Sequence, residues 1–174
     1  MVDANLEELR RRVQRLEDID AIKLVKSQYL NACDQQDPEK AKNCFAEGEV
    51  VIDLGHIGVF RTRDEFAALF RAAGCHPFVL DQHHGANHEI EFVDDNHAKV
   101  LSALGYHNIN TRDKTVTFLS LIYHDEFAKF GSVWKITKSV AEFKTALHCS
   151  YASGNLEALL AGQSVASTGA QTGG

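Results

Sequence analysis

Apolar residues recur at steps of three and four through the first part of the chain: Leu6, Leu9, Val13, Leu16, Ile19, Ile22 and Val25. With about 3.6 residues per turn, that spacing is one face of a helix. The face runs on through Tyr29 and Ala32 to the polar run Asp34-Gln35-Gln36-Asp37, where Pro38 pushes residue 37 out of helical geometry. The pattern predicts a helix over residues 5–36, with Asn5 and Glu8 as a capping pair at its start. Two readings compete for its first half, which is charged on its other faces. Packing on the domain is the favoured one; a coiled-coil arm or partner contact is the other.

Pro38 then suits the first position of a short helix ending near Phe45. The turn Glu47-Gly48 leads into a strand over Glu49 to Leu54, Gly55 to Gly58 reads as a hairpin turn, and Val59 to Arg61 as the return strand. Thr62-x-x-Glu65 opens a capped helix through Phe66, Leu69 and Phe70, which Gly74 ends. After Pro77 the period changes from helical to alternating. Four strands are expected, His83 to Phe92, Ala98 to Asn108, Thr115 to Phe127 and Val133 to about Lys144. Between them stand Asp94-Asp95-Asn96, the segment Asn110 to Asp113, and Phe130-Gly131, all turn chemistry. Helices first and antiparallel strands after make an α+β fold, the helices lying on one face of a curved sheet. The domain is expected over 1–147, with an extension over 148–174. That extension holds a short helix at 155–161 and then a tail of Ser, Gly, Ala, Thr and Gln, too polar to order itself.

At 174 residues, with 44% hydrophobic residues, the chain can build a core and still enclose a pocket. A formal charge of −6 gives no general basic field for phosphate backbones, so a nucleic-acid partner is not expected. No window approaches a transmembrane span, and the charged start MVDANLEELRRRVQRLED has no apolar signal segment, so neither membrane nor export is expected. The four cysteines, Cys33, Cys44, Cys75 and Cys149, are far apart and without metal spacing, which reads as reduced thiols in a cytoplasmic protein.

Candidate chemistry gathers around histidine. Of nine in the chain, three fall in Asp81-Gln82-His83-His84-Gly85-Ala86-Asn87-His88-Glu89. A metal reading would pair His84 and His88 four apart on a helix, with Asp81 or Glu89 completing the set. Gly85 and the alternating Glu89-Ile90-Glu91-Phe92 argue for a strand instead, where those two do not share a helix face, so no metal is expected. Phosphate loops and nucleophile elbows are absent. What is left is a base and a carboxylate to orient it, the minimum for moving a proton without a cofactor. His83 and Asp34 are that pair; from the residues alone, a solvated loop histidine and a polar helix end are the better explanation of them.

A resemblance changes that balance. Glu17-Asp18-x-x-Ala21-Ile22, followed by Tyr29 and then Asp34-Gln-Gln-Asp37, resembles the first helix of SnoaL-like proteins of the NTF2-like superfamily. Tyr123-His-Asp-Glu-Phe127 with Gly131-Ser-Val-Trp134-Lys-Ile136 is similar to that family's closing hairpin. Together they frame about residues 15–145. The resemblance implies an NTF2-like (cystatin-like) cone, a curved antiparallel sheet wrapped around the N-terminal helices. Hexachlorocyclohexane dehydrochlorinase, scytalone dehydratase and bile-acid 7α-dehydratase, members of this group, share a helix-borne Asp and a strand-borne His. Asp34 falls at that Asp, and His83-His84-Gly85-Ala86-Asn87 matches a His-x-Gly-x-Asn string. Tyr29 matches the tyrosine five residues before the Asp in the bile-acid enzyme. No Arg follows Trp134, leaving Lys138 or Lys144 to stabilise a leaving group.

The implied chemistry is cofactor-independent lyase action on a small hydrophobic, cyclic or aromatic hydroxylated compound. Loss of water leads, with retro-aldol release of an aldehyde such as formaldehyde as a variant. A double-bond isomerase, or a silent binding or structural subunit like that of a ring-hydroxylating dioxygenase, is the alternative. Strand alternation places Ser102, Leu104, Tyr106 and Asn108 on one face of their strand, which the resemblance makes the pocket side, with Lys138 and His124 as further substrate contacts. The strand at 115–127 is apolar in both parities, so one face needs a cover. A homo-oligomer is expected, a trimer by resemblance, with a dimer as the alternative.

Overall fold

The computed structural model describes residues 2–155 and 157–162. Three helices precede most of the sheet: α1 (Val2–Asp34), α2 (Pro38–Asn43) and, after β1 (Glu49–Asp53) and β2 (Val59–Thr62), α3 (Arg63–Ala73). Four long strands follow, β3 (Val79–Phe92), β4 (His97–Asn110), β5 (Thr115–Phe130) and β6 (Val133–Ser150), and then β7 (Glu157–Gly162). The sheet order is β2-β1-β6-β5-β4-β3, with β7 added to the far half of β6. Pairing is antiparallel except that β1 lies parallel to β6, so the sheet is mixed rather than wholly antiparallel. No hairpin links β1 to β6, and nothing therefore fixes their relative direction. Bulges at Ala86/Glu89, Ser120/Leu121 and Glu126/Phe127 put extra residues into the ladders, which curls strands of this length into a cone.

Local chemistry sets the helix ends. Asp37 accepts from the Lys40 N–H to cap α2, and Thr62 with Glu65 closes the reciprocal box that starts α3. Gln36 ends α1 in the left-handed region at φ 55, and its Nε2 donates to the carbonyls of His76 and Val79 at 2.9 and 2.7 Å. That bond ties the C-terminal end of α1 to the start of β3. The core beneath is Ile22, Leu30, Phe45, Ile52, Phe127, Trp134 and Ile136. Asp18 pins the other end of the packed segment: it accepts from the Trp134 indole at 2.9 Å and the Lys129 ammonium at 2.7 Å.

Several expectations are corrected. The helix begins at Val2, so Asn5 and Glu8 lie inside it rather than at a cap. Its first half does not pack on the domain: Leu6, Leu9, Val13 and Leu16 are 47, 53, 46 and 63% exposed. The sheet ends where Arg15 lies over Phe92 and Asp18 meets the closing hairpin, and the helix runs on past both turns. The hairpin turn expected at Gly55 to Gly58 is present between the antiparallel β1 and β2, as a single 3-10 turn over Gly55–Ile57. β6 runs to Ser150, beyond the expected Lys144 and across the expected boundary at 147/148. The expected helix at 155–161 is instead strand β7, since the free edge of β6 offers a ladder of hydrogen bonds that a helix this short cannot match. The tail after Gly162 lies outside the described residues.

Candidate active site

β3 carries a glycine where it meets α1: a methyl group on Gly85 would lie 2.7 Å from Leu30 Cδ1, so any larger residue there would make the Leu30 side chain shift. Two residues on, Asn87 adopts φ 52 within the Ala86/Glu89 bulge, a conformation Asn tolerates better than most residues. Gly85 and Asn87 of the His-x-Gly-x-Asn string thus have structural work: one leaves room for the Leu30 side chain and the other turns the strand.

The result is a carboxylate at a histidine. Asp34, the last residue of α1, accepts from His83 Nδ1 at 2.5 Å and from the His83 backbone N–H at 3.1 and 3.2 Å to its two oxygens. With Nδ1 carrying the proton toward Asp34, Nε2 is left as a lone-pair base. The imidazole also lies against the Tyr106 ring, centroids 4.7 Å apart.

His83 opens into a cavity of about 440 Å³, a size that takes a small ligand. Its walls are apolar for most of their extent, with Leu54, Phe66, Phe70, Leu119, Leu121 and Phe143 among them. Tyr29 and Tyr123 also line it, and both are almost wholly buried. Tyr29 is set by an edge contact with Phe45, centroids 5.3 Å apart. Burial, then the neighbouring Tyr123, pushes the Tyr29 phenol well above the ordinary range, and burial does the same for Tyr123. Both therefore stand in the cavity as protonated donors. Cys33 lines it too, but burial and then Asp34 push its thiol far up, so it offers no thiolate.

Of the expected site residues, Asp34, His83 and Tyr29 come together, and Leu104, Tyr106 and Asn108 line the same cavity. Three do not reach it. Ser102 is 1% exposed in the core, in register with Tyr123, whose ring carries the Lys26 ammonium 3.3 Å from its centroid. Lys26 there forms a buried ion pair with Asp125 at 2.8 Å. Lys138 pairs with Glu126 and His124 with Glu142, each at 2.9 Å, on the opposite face of the sheet. Lys144 is likewise bonded to Glu142. Parity explains all three of the cations: His124 alternates with the inward Leu121 and Tyr123 on a regular β5, while the extra residues Thr137 and Lys144 in β6 change which of its residues face inward. No Lys or Arg lines the cavity among the described residues.

Sequence reasoning missed Tyr123 and Asp81. Tyr123 shares parity with Leu119 and Leu121, a signal that was available. Asp81 was hidden because β3 begins at Val79, not at His83, and strand period places 81 and 83 on one face. Asp81 Oδ1 accepts from the Tyr106 hydroxyl and from Asn108 Nδ2, both at 2.7 Å. His84 and His88 stand on β3 with its bulge near them, and among the described residues no three His, Cys, Asp or Glu converge as a metal-ligand set.

Comparison with solved structures gives the same cone. A protein provisionally named a scytalone dehydratase from Novosphingobium aromaticivorans superposes with a TM-score of 0.67 at 21% identity, covering 96% of this chain and 99% of its own. A hexachlorocyclohexane dehydrochlorinase from Novosphingobium barchaimii gives 0.67 at 17% identity, over 85% and 94%. A protein of unknown function with a cystatin-like fold from Nostoc punctiforme gives 0.60 at 20%, over 72% and 90%. Comparison with curated proteins returns no match. The sequence model of the SnoaL-like domain matches residues 14–140, a stretch that runs from the start of the packed part of α1 through Trp134 and contains the Asp34–His83 pair. On that match and that cone, the chain belongs to the SnoaL-like family.

Proposed function

We propose that this protein is a cofactor-independent acid/base lyase acting on a small hydrophobic, cyclic or aromatic hydroxylated compound. The observation that carries the reading is the 2.5 Å contact between Asp34 and His83 at the wall of a largely apolar cavity. Asp34 fixes the imidazole with Nε2 free, and Nε2 takes a proton from carbon. The electron pair forms the double bond, the C–O bond breaks, and the departing hydroxyl, held by a hydrogen bond from Tyr29, takes the abstracted proton back from His83 Nε2 and leaves as water. The same residues support retro-aldol release of an aldehyde: Nε2 takes a hydroxyl proton, a carbonyl forms as the C–C bond breaks, and the new carbanion takes that proton back from Nε2. Two of the structural neighbours, named as a dehydratase and a dehydrochlorinase, are named for eliminations, which favours the first version. Assembly into a homo-oligomer, trimer before dimer, and a reducing cytoplasmic setting for the four free thiols belong to the same proposal.

The test is a panel of hydroxylated aromatics incubated with protein dialysed against a strong chelator, read by mass spectrometry for loss of water and by aldehyde capture for formaldehyde. Turnover by the dialysed wild type that disappears in His83→Ala supports the reading. Turnover that needs added zinc or iron, or that survives in His83→Ala, overturns it, and a cavity that binds members of the panel without converting any returns the protein to the binding subunits.

A further inference from the structure

The cavity has a second polar end that the dyad does not use. Asp81 lies two residues before His83 on the same strand face, so the two side chains start on the order of 7 Å apart. Tyr106 spans the gap: its ring faces His83 at 4.7 Å, and its hydroxyl donates to Asp81. Tyr106 and Asn108 both donate to the same oxygen, Oδ1. These two bonds fix the carboxylate and leave Oδ2 with no hydrogen-bond donor among the described residues. The burial of Tyr106, and then the adjacent Asp81, push its phenol upward, so it stays a donor to that carboxylate. With no Lys or Arg in the lining, the negative charge of Asp81 is balanced by hydrogen bonds alone.

A rigid acceptor in an apolar cavity selects for a donor, and two carboxylates without a cation select against an anion. We infer that Asp81 is a specificity-determining anchor, and that the substrate is a neutral aromatic alcohol carrying a second hydroxyl about one benzene ring from the reacting one. The second hydroxyl donates to Asp81 Oδ2 while the first lies at His83. A phenolic O–H suits the anchor, because Tyr106, itself a phenol, already donates to the same carboxylate at 2.7 Å. This inference rests on the lyase reading only for the identity of the reacting end, and it does not need turnover to be tested.

Three probes of one shape separate the requirements: 4-hydroxybenzyl alcohol, 4-methoxybenzyl alcohol and 4-(hydroxymethyl)benzoate. Their dissociation constants are measured by NMR titration of the full chain. The wild type should bind the hydroxy compound at least about 10-fold more tightly than the methoxy compound, and the benzoate weakest of the three. In Asp81→Asn the amide keeps an oxygen for Tyr106 and Asn108 and presents N–H to the cavity, so the order should invert toward the methoxy compound and the benzoate. Asp81→Ser, which removes the charge with a smaller side chain, should lose the hydroxy preference without gaining the inverted one. A wild type that binds none of the three, ranks the benzoate first, or keeps its ranking in both variants overturns the anchor. If the ranking follows Asp81 but no hydroxylated aromatic is ever turned over, the anchor stands and the lyase reading falls. If turnover depends on His83 while both Asp81 variants rank the probes as the wild type does, the lyase reading stands and the anchor falls.

Discussion

Asp34 does its work by ending a helix. A carboxylate one turn earlier would point along the packed face, and one beyond Gln36 would be lost to solvent; at the last helical position it meets both the ring and the backbone N–H of His83. Tyr29, five residues back, reaches the same cavity from the helix interior. Because burial holds the phenols of Tyr29 and Tyr123 protonated far above the usual range, they remain donors across the workable pH span. The alkaline side of the kcat profile should therefore stay flat to about pH 10, the value at which an ordinary tyrosine is half ionised. A fall in kcat between pH 8 and 10 that Tyr29→Phe abolishes would assign a titrating phenol and contradict the burial. Tyr29→Phe itself should lower kcat by about 10²-fold with little change in KM, the signature of a donor used in the transition state.

At the scale of elements, Asp18 holds α1 against the closing hairpin. Burial works to raise its pKa, but the Lys129 ammonium and the Trp134 indole together outweigh that and hold it below the ordinary carboxylate value. A group lowered on folding contributes stability above its unfolded pKa, about 3.9, and loses it as pH falls through the folded value. Asp18→Asn should cost about 1–3 kcal/mol near neutrality, with the gap from wild type closing below about pH 4, as read by urea unfolding at a series of pH values. A gap that widens in acid would reverse the sign of this argument. How much of the fold the sequence reveals is seen in the same elements. The packed part of α1, the capped α3 and the cores of β3 to β5 follow from periodicity and turn residues. The exposed first half of α1 carries a period as regular as its second, because the pattern records a face without saying what covers it. β7 was unreadable for a related reason: its pairing depends on a free edge of β6, which is a fact about another strand.

For the whole molecule, the sheet's outward face and the helix stripe leave apolar positions uncovered. Phe118 is 51% exposed on β5, as are the four apolar residues at the start of α1 to a similar extent. Patches of this kind are seldom left open on a lone domain. Sedimentation equilibrium at micromolar concentration should return a mass well above 19.3 kDa, and Leu9→Glu with Leu16→Glu should lower it without changing thermal unfolding. A monomeric wild type would show that copies of this chain do not provide the cover. The candidate site was legible in part: the resemblance pointed to Asp34, His83 and Tyr29, which line one cavity, but Ser102, Lys138 and His124 do not reach it. Ser102 has the inward parity but lies in the packed core beyond the cavity, His124 sits at an outward position of a regular strand, and Lys138 follows a bulge in β6 that leaves no mark in the sequence.

The most direct measurement is a double-mutant cycle on Asp34 and His83, with kcat/KM determined on whichever hydroxylated aromatic the wild type turns over. His83→Ala and Asp34→Asn should each lower kcat/KM by about 10²-fold or more, and the double variant should be scarcely slower than the His83→Ala single, because a carboxylate that acts only through an imidazole has nothing to orient once the imidazole is gone. Losses that multiply in the double variant, or full activity in either single one, would show that the 2.5 Å contact is structural and that the chemistry lies elsewhere.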